Sequence, residues 1–281
     1  AAMAEPGAAA AAAPAAHAAS LRDLPNHYAG VLLDQFGVLH DGARPYPGAV
    51  AAVRHLAFDR GLRLLIISNS SRRSAGALGN LARMGFPEEA FAGAVTSGEV
   101  THELLAARPD AFWKARRRAL HLTWGARGAI SLDGLGLELT PDPLGCDFIL
   151  AHGVEAVGGA GGGAAVATPL PEMRALLEAA AASPLRPPLV CANPDLVTVA
   201  GAGGALRTMP GTLAKWFAAA GGEVHLMGKP APVIYERALA MLGLPPGAVV
   251  AVGDSLEDDV AGAAAAGVEA VLVAGGIHAG A

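Results

Sequence analysis

Cysteine is nearly missing from this chain: Cys146 and Cys191 are the two among 281 residues. They are too few and too far apart in sequence for a disulfide framework or a thiolate zinc site, and a reducing compartment is compatible with them. Positive charge is also sparse, with 20 Lys and Arg against 25 Asp and Glu and a net charge of -5. That balance leaves no basic face for nucleic acid, and the one dense run, Arg116-Arg117-Arg118, reads as a solvated helix end or strand entry. Long hydrophobic runs are absent although 53% of the residues are apolar, because alanine supplies much of that fraction. "LRLLIIS" is of strand length and "AGAAAAGVEAVLVAGG" is broken by Glu269 and glycines, so no membrane span is expected. Residues 1–27 lack the basic start of a signal peptide; they read as a disordered, alanine-rich tail on a protein of the cytoplasm or an organelle interior.

What is present is a repeated alternation of short apolar strands with helices. "GVLLD", "LRLLIIS" and "AGAVTS" are strands, separated by the helices "PGAVAAVRHLAFDRG" and "RRSAGALGNLARMG"; "GEVTHELLAA" follows as a third helix. The pattern resumes late in the chain with "VHLMG", "APVIYERALAMLG", "AVVAVG", "LEDDVAGAAAAG" and "EAVLVA". Strands and helices at this spacing predict an α/β fold, a Rossmann-like, doubly wound parallel sheet covered on both faces. Between 108 and 210 the texture changes to short strands, one clear helix and the glycine-rich loop "GGAGGGAA". The expected organisation is therefore a discontinuous core domain, 28–107 and 211–281, with an inserted α/β cap domain at 108–210.

Four polar positions fall just after apolar strands: Asp34, Ser68 with Asn69, Lys229 and Asp254. In open parallel sheets the ligand sits at the carboxyl ends of the strands, which places all four on one rim. A carboxylate, a hydroxyl with an amide, an ammonium and a second carboxylate are the parts for attacking a phosphoryl group. Asp34 would be the nucleophile, Ser68, Asn69 and Lys229 would hold phosphate oxygens, and Asp34 with Asp254 would hold a hard cation such as Mg2+. Asp259 would pair with Lys229 or order a metal-bound water, whereas Asp258 reads as a solvated helix residue. Asn193-Pro194-Asp195 is either a turn or a substrate-facing loop.

In these words the chain resembles the haloacid dehalogenase superfamily. "DQFGV" is similar to that family's first motif, "IISNSSRRS" to its second, "GKP" to its third and "GDSLEDD" to its fourth. The insert resembles the C2a cap of the NagD-like subgroup (subclass IIA), with "TSGEV", "NPD" and "GTLAKWF" where that subgroup has similar words. The resemblance implies a Mg2+-dependent phosphatase acting on a small phosphorylated metabolite through an aspartyl-phosphate, and a homodimer through the cap. It extends the phosphate and substrate set to Ser70, Asn193 and Asp195, and makes the backbone carbonyl of Phe36 a metal ligand.

Phe36 is also where the chain departs from the family's phosphatases, which carry there a second aspartate that protonates the leaving group. A phenyl ring cannot do this, and general acid–base help is worth ~10²–10⁴ in rate. Three readings follow: a phosphatase whose acid comes from elsewhere, with His40 or Asp41 as candidates; a non-catalytic phospholigand or partner-binding protein; and, less well supported, a metal-independent dehalogenase-like hydrolase, in which the acids Asp254 and Asp259 would have no task.

Overall fold

The computed structural model describes residues 20–125, 128, 130–200 and 205–275. The chain enters with β1 (Gly30–Leu33), whose four residues are all buried. Such a strand needs cover on both faces: Val31 and Leu33 face one apolar cluster and Leu32 the other. Next come α1 (Ala49–Arg54), which runs on into a wider turn at His55–Asp59, then β2 (Arg63–Ser68), α2 (Ser74–Arg83), β3 (Phe91–Thr96), α3 (Ser97–Ala107) and α4 (Ala111–Lys114). A second layer follows with β4 (Arg118–Thr123), β5 (Glu138–Leu139), β6 (Phe148–Ala151), β7 (Ala156–Val157), β8 (Val166–Ala167), α5 (Leu170–Ala182), β9 (Leu189–Cys191), β10 (Val197–Ala200), β11 (Ala205–Thr208), α6 (Pro210–Ala219) and β12 (Val224–Leu226). The chain then returns through α7 (Pro232–Leu242), β13 (Val249–Gly253), α8 (Ala261–Ala265) and β14 (Glu269–Leu272).

The first sheet is wholly parallel in the order β14-β13-β1-β2-β3. The chain winds outward from β1 in one direction and from β13 in the other, so the crevice at their carboxyl ends is the topological switch point. The second sheet runs β12-β9-β6-β4-β7-β8, with β5 on β4, and β10 and β11 form a separate hairpin. This is the expected α/β core with an α/β insert.

Two expectations are corrected. The sequence pattern puts the strand "VHLMG" in the core, but β12 pairs in parallel with β9 of the second sheet, Val224 opposite Leu189 and Leu226 opposite Cys191. The preceding helix α6 buries Leu213, Ala214 and Phe217 in one cluster with Met173 and Leu177 of α5. The insert therefore runs through 226, and the core resumes at Gly228-Lys229. Strand–helix alternation is the same on both sides of this junction, so periodicity alone cannot assign a strand to a sheet. The tail expected over 1–27 lies outside the described residues up to 19, but Ser20 caps a short turn at Leu21–Asp23 and Leu24 is buried in the core cluster with Tyr28. Arg60 fixes this segment by donating to the carbonyls of Leu24 and Pro25 at 2.8 and 2.9 Å. Among the described residues no helix is long and apolar enough to cross a membrane.

The second sheet buries a histidine pair that bears on stability. His121 on β4 and His152 just beyond β6 are 2% and 3% exposed, with Nε2 of the first 3.0 Å from Nδ1 of the second. Burial holds His121 down to about 4 and His152 well below its ordinary value, with His121 and His102 nearby adding to the latter. Both rings are thus neutral when folded, while the unfolded chain takes up protons near the usual ~6.5. The unfolded state binds more protons in that interval, so this contribution to stability is present above ~6.5 and is lost as pH falls towards 4. For His121 the integrated loss is on the order of 3 kcal/mol. Comparing urea melts at pH 7.5 and 4.5, His121→Gln should lose less stability on acidification than wild type; equal losses would show that the pair is not held neutral.

Candidate active site

At the switch point the backbone of β1 continues one residue further, Asp34 donating its N–H to the Val252 carbonyl at 2.9 Å. Asp34 thus sits beside the end of β13, which Gly253 closes and Asp254 follows. Two glycines make the approach of side chains possible. A Cβ on Gly37, whose φ is +86°, would lie 1.9 Å from Asp254 Oδ2, and one on Gly253 would lie 2.0 Å from Asp259 Cγ. The outcome is three buried carboxylates, Asp34, Asp254 and Asp259, each offering an oxygen within 4.8 Å of the others.

Lys229, 3% exposed, reaches into this group. Its Nζ is 2.9 Å from Asp34 Oδ1 and 2.6 Å from Asp259 Oδ1. Asp259 Oδ2 also accepts from the Ser255 amide at 3.1 Å, so of the two readings for Asp259 the pairing with Lys229 is the one seen. Burial works against the ammonium, but Asp259 and Asp34 more than offset it and hold the Lys229 pKa well above its usual value. Burial pushes Asp34 up to about 7; Lys229 opposes the rise, and Asp259 and Asp254 add to it. The site carries three acids for one base.

Lys229 does not leave a strand of the core sheet, contrary to the expectation; it lies on the segment returning from the second sheet. Asn69 holds it there. The Asn69 amide accepts from the Lys229 N–H at 2.7 Å and donates to the Lys229 carbonyl at 3.2 Å and to Asp195 Oδ1 at 2.8 Å. Both amide protons are therefore committed within the protein, and the side chain expected on phosphate instead clamps three segments. Ser97, which the sequence reading did not single out, donates to Asn69 Oδ1 and to the Ser68 carbonyl, both at 3.4 Å. Gly228 is fitted against it, since a Cβ there would meet Ser97 Oγ at 2.0 Å.

The remaining candidates divide. Ser68 is buried at the end of β2 and its Oγ accepts from the Ser70 N–H at 3.3 Å; the Ser70 hydroxyl accepts from Arg72 N–H at 3.2 Å on the exposed side. Asn193 turns into its own loop, accepting from the Asp195 N–H at 3.1 Å, as the turn reading expected. That turn nevertheless carries Asp195 onto Asn69, and burial lifts the Asp195 carboxyl to about 6, with the Asn69 hydrogen bond and Lys229 opposing. Asp41 accepts from Ala43 and Arg44 N–H at 2.8 and 2.7 Å on an exposed turn, and these bonds hold its pKa below the usual range. A carboxyl held ionised this way has no proton to give. His40 is 5% exposed; its Nδ1 accepts from Gly42 N–H at 3.0 Å, leaving the proton on Nε2, which has no hydrogen-bond partner. Burial lowers its pKa, and a neutral imidazole N–H is too weak an acid to protonate a leaving group.

The Phe36 ring stands edge-on to His40 at 6.1 Å, and a Cβ on Gly42 would lie 2.8 Å from it. The aromatic residue thus packs the turn after β1. Asp258, expected to be solvated, is half-buried in a reciprocal cap: it donates its N–H to Ser255 Oγ and accepts from that hydroxyl, both at 3.1 Å. The "SLED" spacing carried that signal. Tyr235 was also missed; its hydroxyl donates to the carbonyls of Asp258 and Asp259 at 3.0 and 3.1 Å.

Residues 31–138 match the family model of haloacid dehalogenase-like hydrolases, and residues 226–281 match the HAD-hydrolase-like model. Chronophin from Homo sapiens is 30% identical over 280 residues, covering 92% of this chain and 85% of that one. A hydrolase of the haloacid dehalogenase-like family from Brucella suis 1330 superposes with a TM-score of 0.76 at 30% identity, over 92% of this chain and 93% of its own. A glycerol phosphate phosphatase from Mycobacterium tuberculosis, solved with magnesium, gives a TM-score of 0.61 at 25% identity, over 93% of this chain and 71% of its own.

The charge arrangement makes Lys229 the group whose loss the fold should feel most. Breaking a buried ion pair by removing one partner costs about 3–5 kcal/mol. Lys229→Met should lose that much at pH 8, where three carboxylates are left facing one another, and less at pH 5, where Asp34 can take up a proton. Urea denaturation of the metal-free protein at both pH values checks this; a pH-independent loss would mean that the acids do not repel.

Proposed function

The chain belongs to the haloacid dehalogenase-like hydrolases, and on that premise we propose that it is a Mg2+-dependent phosphatase cleaving a small phosphate ester through an aspartyl-phosphate on Asp34. The observation that carries this reading is the Asp34–Lys229–Asp259 contact at the end of β1, where a carboxylate at 2.9 Å from a buried ammonium meets two further acids. The phosphatase from Mycobacterium tuberculosis, solved with magnesium, supports it by likeness.

The donor set suits such a cation: it is all oxygen, with three carboxylates against the one ammonium of Lys229. Asp34, Asp254 and the carbonyl of Phe36 would hold it, and it would supply charge neutralisation for the phosphoryl oxygens. The chain's own groups do the rest. Asp34 forms a bond to phosphorus as the ester bond breaks, and its carboxylate later leaves when water attacks the same phosphorus. Lys229 and Ser68 hold the phosphoryl oxygens. Asn69 fixes the Lys229 backbone, so its amide acts on phosphate through the lysine it positions.

Phe36 alone favours the second reading, a protein that binds a phosphorylated ligand without turnover. Asp34→Asn should abolish hydrolysis of any ester, since an amide is a poor nucleophile. Asp254→Asn should lower activity in a way that excess magnesium partly restores. Steady-state assays over a panel of aryl and alkyl phosphates with a magnesium titration test both. An Asp34→Asn protein as active as wild type would rule out the covalent route, and a wild type inert on every ester while binding phosphate with magnesium would favour the second reading.

A further inference from the structure

The phosphatase reading leaves the leaving-group oxygen without a proton, and the structure supplies one candidate from the inserted domain. Asp195 lies just beyond β9 on the Asn193-Pro194 turn, and this turn is wedged into the junction of the two domains. A Cβ on Gly211 would lie 1.8 Å from the Pro194 carbonyl, and one on Gly228 would lie 2.8 Å from the Pro194 ring. The loop therefore has little room to move relative to α6 or to the returning segment. From it Asp195 reaches across to the core, where Asn69 donates to its Oδ1 at 2.8 Å. Its other carboxylate oxygen makes no hydrogen bond among the described residues. Asn69 in turn holds Lys229, whose ammonium touches Asp34. Asp195 is thus linked to the nucleophile by three contacts, through Asn69 and then the backbone and ammonium of Lys229, on the side of the site formed by the inserted domain.

We propose, resting on the phosphatase reading above, that Asp195 is the catalytic acid and base of this protein, replacing the carboxyl that Phe36 lacks. As Asp34 bonds to phosphorus, the ester P–O bond breaks and its electron pair goes to the leaving oxygen, which takes the proton from Asp195 and departs as the alcohol. The Asp195 carboxylate then removes a proton from water as that water attacks phosphorus, freeing phosphate and the Asp34 carboxylate, and Asp195 is protonated again. The balance is ester plus water to alcohol plus phosphate, with no other reactant.

The surroundings agree. Burial lifts the Asp195 carboxyl to about 6, where a group can both give and take a proton near neutrality. The groups facing it are Lys229, which lowers it, Asp258 and Asp259, which raise it, and the Cys191 thiol, itself pushed up by burial to about 12 and uncharged. The competing candidates are weaker: Asp41 is held ionised by its turn, and His40 is held neutral by burial.

The test uses 4-nitrophenyl phosphate, whose leaving group departs unaided, and glycerol phosphate, whose alkoxide does not. Asp195→Asn keeps an oxygen for Asn69 to donate to but has no proton to transfer. It should lose ~10²-fold or more in single-turnover rate on glycerol phosphate and leave the aryl ester nearly unchanged. In the wild type the rate on glycerol phosphate should fall as pH rises through the Asp195 pKa, with no such limb for phosphoryl transfer from the aryl ester; this comparison needs no variant and decides the matter if Asp195→Asn does not fold. Equal losses on the two esters, or no loss on either, would overturn the assignment while leaving the phosphatase reading intact. A wild type that cleaves neither ester would overturn both.

Discussion

The ion cluster around Lys229 is the constraint on which the rest of this molecule depends. An ammonium taken out of water is costly, and it stays charged here because two carboxylates meet it at 2.9 and 2.6 Å. Those carboxylates come from opposite ends of the sequence, Asp34 after β1 and Asp259 beyond β13, and the lysine comes from the segment returning from the inserted domain. One set of contacts therefore fixes three pieces of chain that no local interaction would bring together. The surplus acid, Asp254, leaves the cluster with more negative than positive charge, and adds in a small way to the rise of the Asp34 carboxyl that burial chiefly causes. A core optimised only for stability would not retain such an arrangement; a site that must receive charge from a ligand has reason to.

A second hub, built on Asn69, joins the two domains. Its amide bonds to the Lys229 backbone on one side and to Asp195 on the other, and small residues make this closeness possible. Side chains at Gly228, Gly211 and Gly98 would collide with Ser97, with the Pro194 carbonyl and with the Ser71 carbonyl. Trp124 adds a further link, its indole N–H donating to Ser71 Oγ at 3.0 Å. The position of the inserted domain is thus read directly by the residues that hold Lys229, so docking of one domain and alignment of Lys229 are one event.

Much of this was legible in the sequence, for identifiable reasons. Fully apolar strands such as Gly30–Leu33 announce a parallel sheet, and the rule that ligands gather at strand carboxyl ends brought Asp34 and Asp254 together before any coordinate did. The pairing of Asp259 with Lys229 was one of two readings that the sequence left open, and the contact at 2.6 Å is the one seen. What was not legible depends on partners distant in sequence. β12 has the same apolar texture as a core strand, and only its pairing with β9 shows where it belongs. Asn69 sits in a phosphate-binding word, yet the number of hydrogen bonds its amide makes depends on where Asp195 and Lys229 come to rest. Asp258, by contrast, was legible and was misread as solvated: the Ser255-Leu256-Glu257-Asp258 spacing carries the signal of the cap that its side chain makes with Ser255.

The aromatic residue after the nucleophile shows how packing and chemistry compete for one position. Phe36 lies against Gly42 and stands edge-on to His40, so it helps shape the turn that delivers the Gly37 backbone to Asp254. An aspartate at 36 would add a fourth carboxyl beside three that already outnumber their base, and each added charge in a buried cluster raises the cost of ionising its neighbours. An acid supplied from the inserted domain, as proposed for Asp195, would avoid this. Asp195 reaches the site through Asn69 instead of through the Asp34, Asp254 and Asp259 carboxylates, and its pKa is set chiefly by burial. Proton transfer would then be available only when the inserted domain is seated on the core, because the Asn193-Pro194-Asp195 turn is what the seating positions. In that arrangement the missing aspartate ties catalysis to domain docking.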